Sequence, residues 1–290
     1  MIATTGFFDG VHSGHRLVIE RLVSLARERG DESLVVTFWP HPRAVLQDGA
    51  RELRLLNSLE EKKELLRSLG VDRIEVLDFT RSFAALTAEQ YLRDVLRSRF
   101  GVTTLLMGYD NRLGSDRLTA SKLRPKAEAL GIELIELEPF GRPDLTPVSS
   151  TKIRKALEEG NIAHASEMLG YGYALKGVVV AGNRLGRTIG FPTANMKLYE
   201  PLKLVPGRGV YVVEAEVLGK KYRGMTNIGQ RPTVGGTFTT IETHILDFDE
   251  DIYGLPLRIT FLRRLRDEVH FPSMEALKRQ LEKDRDCCRE

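Results

Sequence analysis

Cysteine is nearly absent. Cys287 and Cys288, adjacent and at the very end, are the only two in 290 residues. They supply neither a disulfide framework nor a zinc set, so a disulfide-stapled secreted domain is excluded and a reducing, cytoplasmic setting is expected. Their place at the terminus reads as a frayed end with no functional role. Long apolar runs are missing as well. No stretch approaches 18 uncharged apolar residues, so no membrane-crossing helix is expected. The opening residues, Met1-Ile2-Ala3-Thr4-Thr5-Gly6, carry no basic n-region or apolar h-region and read as folded sequence. Nor is one sign of charge in excess: 43 Lys+Arg stand against 40 Asp+Glu, a net +3. Up to Gly170 the chain has 24 basic and 25 acidic residues (net −1), and the remainder has 19 and 15 (net +4). Neither part has the basic stripe of a nucleic-acid binder, so small-molecule partners are favoured over nucleic acid or membrane. No glycine loop ends in G-K-[ST], which excludes a P-loop kinase. There is no internal repeat and no low-complexity segment, and the oligomeric state leaves no trace.

What is present divides in two. Hydrophobic residues make up 42% and charged residues 29%, enough apolar surface for real cores. At roughly 100–200 residues per domain the length suggests two domains. Up to about residue 170, buried-strand candidates (Ile2–Thr5, Leu34–Phe38, Ile74–Leu77, Thr103–Met107, Glu133–Leu137) alternate with helical patterns (from Leu17 to Gly30, Leu59–Leu69, Thr87–Arg99, Ser121–Leu130). That alternation predicts an α/β domain with a parallel, doubly wound sheet over 1–169. From 170 to 290 the segments Val178–Val180, Val210–Val217, Tyr222–Ile228, Thr239–Leu246 and Leu257–Phe261 are β-rich. With a helix at Met274–Leu281, they predict an all-β sandwich or barrel closed by a terminal helix.

The first chemical signal is Gly6-Phe7-Phe8-Asp9-Gly10-Val11-His12-Ser13-Gly14-His15, between the first strand and the first helix. Ligands of doubly wound sheets bind beyond the carboxyl ends of strands, and a helix N-terminus offers free N–H groups and partial positive charge to phosphate. Gly6, Gly10 and Gly14 allow close backbone approach. His12 and His15, three apart, can face one side of the first turn and donate hydrogen bonds to charge developing on phosphorus oxygens. Helix capping and metal binding are the alternative readings of the pair. The second signal is Ser149-Ser150-Thr151-Lys152-Ile153-Arg154-Lys155, with Ser149 or Ser150 as N-cap and Gly160 as terminator. Three cations in a first helical turn run against the helix dipole, and a bound polyphosphate would supply the missing anion. A solvated basic face is the plain alternative.

The third signal lies in the β-rich part. Gly177, Gly182, Gly186 and Gly190 lead into Phe191-Pro192-Thr193-Ala194-Asn195, whose Thr and Asn oxygens suit Mg²⁺ and phosphate. In isolation P-T-A-N reads more simply as a turn. Asn227-Ile228-Gly229-Gln230-Arg231-Pro232-Thr233 is placed at the end of a strand, before a flexible Gly235-Gly236 loop. Alternation along Ile241–Leu246 puts Glu242, His244 and Leu246 on one face. A carboxylate on a rigid strand is a well-held general base for an alcohol, and an exposed strand glutamate is the alternative.

Together these blocks resemble the prokaryotic bifunctional riboflavin kinase/FMN adenylyltransferases, the FAD synthetases. GFFDGVHSGH and SSTKIR match the adenylyltransferase module, with Phe38–Pro42, Leu86–Tyr91 and Gly108–Asp110 in family order. Leu185–Asn195, Gly209–Val213, NIGQRPT, Glu242–Gly254 and Leu265–Phe271 match the riboflavin kinase module. The likeness covers residues 2 to about 284. One departure is Asn111 and Leu113, which stand where the family commonly has phenylalanines.

The resemblance implies a nucleotidyltransferase-type domain followed by a six-stranded antiparallel barrel. It implies two Mg²⁺- and ATP-dependent steps, riboflavin to FMN in the second domain and FMN to FAD plus pyrophosphate in the first. His12 and His15 would act on the adenylyl-transfer phosphates, with Gly6, Asp9, Gly14, Asp110, Arg112, Ser150, Thr151 and Arg154 binding ATP. Glu242 would be the kinase base. Gly182, Gly186, Gly190, Thr193 and Asn195 would hold the kinase nucleotide, the last two also Mg²⁺, and Asn227, Arg231 and Arg266 the flavin. Two other readings stay open at this point: a single working module, or a flavin-binding regulator without turnover.

Overall fold

The structure is a computed structural model that describes residues 1–46, 53–109, 111–137, 148–182, 185–233 and 236–289. The chain forms two compact units, Met1–Ser150 and Thr151–Glu290.

The first unit runs β1 (Ile2–Thr5), α1 (Ser13–Arg29), β2 (Ser33–Trp39), α2 (Pro42–Leu46), α3 (Leu59–Ser68), β3 (Arg73–Asp78), α4 (Arg81–Ala84), α5 (Ala88–Gln90), β4 (Thr104–Gly108), α6 (Ala120–Ala129) and β5 (Glu133–Leu137). All strand pairs are parallel, in the order β3-β2-β1-β4-β5. Side-chain alternation feeds two cores. Ala3, Leu34, Val36, Leu105 and Met107 face the cluster of Tyr91, Leu92, Leu96 and Leu123, while Ile2, Val35 and Leu106 face Ile19, Leu22 and Val23 of α1. Helices on both faces bury both sides of the sheet, which is why its strands read as continuous apolar runs. Strand order reverses between β1 and β4, so the crevice beyond their carboxyl ends is the natural ligand site. The β1–α1 loop opens there.

Local signals set the helix bounds. Gly30, at φ +65°, ends α1, whose last turn carries Arg27 and Arg29. Ser58 and Glu61 form a capping box at the start of α3. The helix expected over Thr87–Arg99 is not uniform: α5 continues into a π-helical stretch, Tyr91–Arg97, closed by the Ser98 N–H on the Arg93 carbonyl. Its buried residues Tyr91, Leu92 and Leu96 satisfy either winding, so periodicity could not distinguish them.

The second unit contains α7 (Ser150–Glu158, begun by the last residue of the first unit), α8 (Ile162–Leu169), β6 (Ala174–Val180), α9 (Leu185–Thr188), β7 (Ala194–Leu198), β8 (Gly209–Val217), β9 (Lys220–Thr233), β10 (Gly236–Ile245), β11 (Pro256–Arg266) and α10 (Met274–Arg289). Six antiparallel strands close a barrel in the order β10-β7-β6-β11-β8-β9.

Three expectations change here. P-T-A-N is not wholly a turn, because Ala194 and Asn195 open β7 and pair with Thr243 and Glu242. The strand expected over Tyr222–Ile228 is longer: β9 runs from Lys220 to Thr233, so NIGQRPT ends it as expected, and β10 pairs with it from Gly236 onward. The C-terminus is not frayed at the cysteines. α10 extends to Arg289, and Cys288, 2% exposed, packs with Phe191, Val210, Val212, Met225 and Leu246. Polar residues all around α10 hid the stripe of Leu281, Asp284 and Cys288 that faces inward. Buried Asp284 is tolerated there because Arg266 pairs with it at 2.7 Å.

Candidate functional sites

The β1–α1 loop is held in an uncommon shape. Phe8 and Val11 have φ of +53° and +36°, left-handed values that cost a residue bearing a Cβ about 1–3 kcal/mol each. Anchors offset that cost. The Gly6 N–H donates to the Val36 carbonyl at 3.1 Å, and buried Asp9 accepts from the Leu56 and Asn57 N–H groups at 3.0 and 3.4 Å. The Ser150 hydroxyl donates to the Asp9 carbonyl at 2.9 Å. Asp9 and Ser150, both expected at phosphate, thus fasten the loop. A Cβ on Gly6 would meet the Phe8 ring at 3.0 Å, so a larger residue there would have to push that ring aside.

The two histidines come together. His12 caps α1, its Nδ1 accepting from the His15 N–H at 3.4 Å, so in the neutral form its proton sits on Nε2. The rings stack with centroids 3.6 Å apart, and Phe8 packs edge-on against His15 at 5.3 Å. His15 Nδ1 is enclosed and, among the described residues, is the one buried side-chain nitrogen or oxygen without a hydrogen-bond partner. Burial of the ring, then the neighbouring His12 and Lys62, hold its pKa well below the usual 6.5. Near neutral pH His15 is therefore an uncharged imidazole. With no acidic residue in the first turn of α1, the helix end remains open to an anion.

The remaining N-terminal candidates divide. Asp110 lies outside the described residues. Arg112 is exposed in the turn after β4, where Leu113 packs against the core and takes over apolar packing despite the missing aromatic. Thr151, exposed, and Arg154, half-buried, stand on α7, whose Ile153, Ala156 and Leu157 are buried. Trp39 and His41 stand in the sequence only within the family-like block Phe38–Pro42, with no role of their own. Both pack on Phe7 of the glycine loop, with centroids 6.5 and 4.2 Å away.

In the barrel the candidates converge on β10. Glu242 is in register with Asn195 of β7 on one side and Asn227 of β9 on the other. The Thr193 hydroxyl donates to Glu242 Oε2 at 3.5 Å. Gly182 lies so close to Asn195 that a Cβ would meet its amide nitrogen at 2.2 Å, so a larger residue there would displace the Asn195 side chain. His244 Nδ1 donates to the Pro192 carbonyl at 2.8 Å, fixing the turn that presents Thr193, and burial lowers its pKa.

A cavity of about 1200 Å³ is lined by Gly186, Thr193, Asn227, Glu242, His244 and Arg266, among others. A smaller one of about 300 Å³ is lined by Val179, Arg187, Thr193, Thr243, Asp249 and Tyr253. Alternation on β10 sends Glu242 to the first and Thr243 to the second, and Thr193 borders both. Arg266 reaches the larger cavity with its guanidinium bound to Asp284. Gly190 sits in the turn before Phe191, and Arg231 lies on β9 opposite Phe238, its side chain outside the described residues. The smaller cavity was missed because its lining, from Val179 and Arg187 through Thr193 to Thr243 and Tyr253, converges only when the barrel closes, although parts of it lie in recognisable motifs.

Comparison with known proteins matches both halves. The FAD synthetase family model covers residues 1–152, and the riboflavin kinase model covers residues 169–290. A bifunctional riboflavin kinase/FMN adenylyltransferase of Escherichia coli is 38% identical over all of this chain and 92% of its own. Those of Listeria monocytogenes and Bacillus subtilis are 36% and 35% identical, each over 98% of this chain and 90% of theirs. A solved structure from Streptococcus pneumoniae, titled a macrolide-efflux protein, is 33% identical with a TM-score of 0.93, covering 100% of this chain and 93% of that one. Among the described residues here no helix is long and apolar enough to cross a membrane. With both modules present in order and full-length relatives at this identity, the chain belongs to the bifunctional riboflavin kinase/FMN adenylyltransferase family.

Proposed function

We propose that the two activities run on two separate constellations, Glu242 with Thr193, Asn195 and Asn227 for phosphorylation of riboflavin, and His12 with His15 for adenylyl transfer to FMN. The observation that carries this reading is the register of β10, which puts the one carboxylate of the group between two asparagines and beside Thr193. Glu242 takes the proton of the riboflavin 5′-hydroxyl as its oxygen attacks the γ-phosphorus of ATP, giving FMN and ADP. The larger cavity, which Asn227, Arg266 and Glu242 line, takes the flavin. The smaller takes the nucleotide, so that Thr193 stands where the two substrates meet.

No group of three His, Cys, Asp or Glu among the described residues is placed to hold a metal. The neutral oxygens of Thr193 and Asn195 beside Glu242 fit Mg²⁺, which keeps waters and takes further ligands from phosphates. When bound, Mg²⁺ neutralises phosphate charge. The Gly182, Gly186 and Gly190 backbone covers the same phosphates.

In the first unit the FMN phosphate attacks the α-phosphorus of a second ATP and pyrophosphate leaves. No protein nucleophile is required, and positioning and charge stabilisation supply the catalysis. His12 and uncharged His15 donate hydrogen bonds to the phosphate oxygens as charge builds. Gly14, Arg112, Thr151 and Arg154 bind the polyphosphate, as does Asp110. Residues 1–169 form the adenylyltransferase domain and 170–290 the kinase domain, and the reducing cytoplasm suits the two free thiols. The test is a Glu242→Gln variant assayed with riboflavin and, separately, with FMN, the products resolved by chromatography. The reading requires FMN formation to fail and FAD formation from FMN to persist.

A further inference from the structure

Lys62 has no place in the chemistry above, and its position is unusual. It stands on α3 with none of its surface exposed. Its one side-chain hydrogen bond among the described residues is to the Thr37 hydroxyl, at 3.4 Å, and it forms no ion pair within them. The ammonium lies 3.5 Å from the Phe7 ring centroid and 6.0 Å from that of Trp39. Thr37 in turn donates to the Phe7 carbonyl at 3.2 Å, so both contacts of the ammonium lead to the glycine loop. As structural material this is poor. A buried charge without a close counter-ion is costly, and an apolar residue of similar volume generally stabilises by comparison. Lys62 lies one turn before Leu66 on the buried face of α3, where periodicity calls for an apolar residue. A local rule broken without structural return points to function.

We propose that Lys62 is a positioning residue of the adenylyl-transfer site, a buried cation beneath the Phe7–Asp9 loop that draws the ATP polyphosphate onto His12 and His15. The proposal rests on the histidine reading of that site. Its chemistry is that of a fixed positive potential in a low-dielectric wall: the ammonium touches no substrate and acts through the loop it underlies and through space. The titratable groups that face it come from the β1–α1 segment, Asp9 and then His15, with His12 stacked behind. β2 offers only uncharged Thr37 and Trp39. Burial lowers the Lys62 pKa to about 7, with Asp9 pulling the other way. The charge is therefore poised to respond: it is lost as pH rises through that value in the free enzyme, and an arriving anion holds the proton on.

The experiment compares the parent with Lys62→Met in the full-length enzyme, assaying FMN with ATP. kcat/KM for ATP should fall about 10- to 100-fold, with unchanged riboflavin phosphorylation and a thermal midpoint equal to or above the parent's. In the parent, kcat/KM for ATP should decline as pH rises above about 7, the limb reporting the free enzyme, and in the variant that limb should vanish. Should Lys62→Met fail to fold, Lys62→Gln, neutral and still able to bond Thr37, carries the same readouts. A variant with parental kcat/KM and a parental pH limb overturns the proposal, as does an activity loss that merely tracks a lowered midpoint. A His15→Ala control separates the layers. If it retains parental adenylyl transfer, the histidine reading itself fails; if it is inactive while Lys62→Met is parental, only the Lys62 role falls.

Discussion

The first unit presents its histidines on a loop and a helix start at the switch point of a parallel sheet. The second presents its glutamate on a barrel strand, ladder-paired on both sides. A loop can aim several donors at one phosphate, but this one requires left-handed Phe8 and Val11 and anchors on the Asp9 carboxylate and carbonyl to hold that shape. A strand gives less freedom and fixes Glu242 through register alone. The chemistry matches the scaffold. Adenylyl transfer from a phosphate nucleophile asks for positioning and charge stabilisation rather than a base, and buried, uncharged His15 is one such donor. Phosphorylation of an alcohol asks for a base, and a strand holds one carboxylate in place.

The strongest way to break that comparison is Glu242→Gln. The change keeps side-chain shape and removes basicity, so the barrel should stay folded and flavin should still bind. FMN formation from riboflavin should fall about 10²–10⁴-fold, while FAD formation from supplied FMN stays at the parental rate. If both reactions fall together, Glu242 serves the structure or the two activities share a site. If neither falls, the base lies elsewhere. The mirror image is His15→Ala, for which loss of a donor to the transition state predicts about 10²–10³ less adenylyl transfer with FMN formation intact.

Arg154→Ala sharpens the assignment of α7. Losing a charge-assisted hydrogen bond to phosphate should cost about 1.5–3 kcal/mol, read as a lower kcat/KM for ATP in adenylyl transfer alone. A lower unfolding midpoint with unchanged kinetics would favour the solvated basic face instead.

Much of this was legible in the sequence, for identifiable reasons. Parallel strands buried on both faces read as short apolar runs, and the switch from strand–helix alternation to glycine-punctuated β segments near residue 170 marked a change of architecture. The motif residues His12, His15, Thr193, Asn195 and Glu242 each have a plainer reading alone and stood out through the family-like blocks that hold them. Other features depend on partners far away in sequence. β7 exists because β10 pairs with Asn195, which no local turn signal reports. Asp9 also has a structural task that its motif does not report, accepting from the Leu56 and Asn57 amides. Lys62 was passed over as one charge among many on a charged helix, although its spacing to Leu66 placed it on the buried face.

The smallest expected effect concerns the end of the chain. Cys288, on the inward face of α10, is 2% exposed, and burial raises its thiol pKa to about 11, so it stays protonated and behaves as a small hydrophobe. Cys288→Ala removes its sulfur from the cluster with Phe191, Val212 and Leu246, at a cost of about 1 kcal/mol, near the centre of what single substitutions do. Because each unit has its own core, the loss should appear only in the unfolding of the barrel unit, with the first unit's transition unmoved. The kinase should feel it faintly, since Leu277 and Leu281 of the same helix line the larger cavity. Differential scanning calorimetry with and without riboflavin resolves this: the barrel transition should drop by a few degrees and recover part of the loss when flavin binds. An unchanged barrel transition would mean that the helix end frays in solution and that Cys288 contributes nothing to the core it touches.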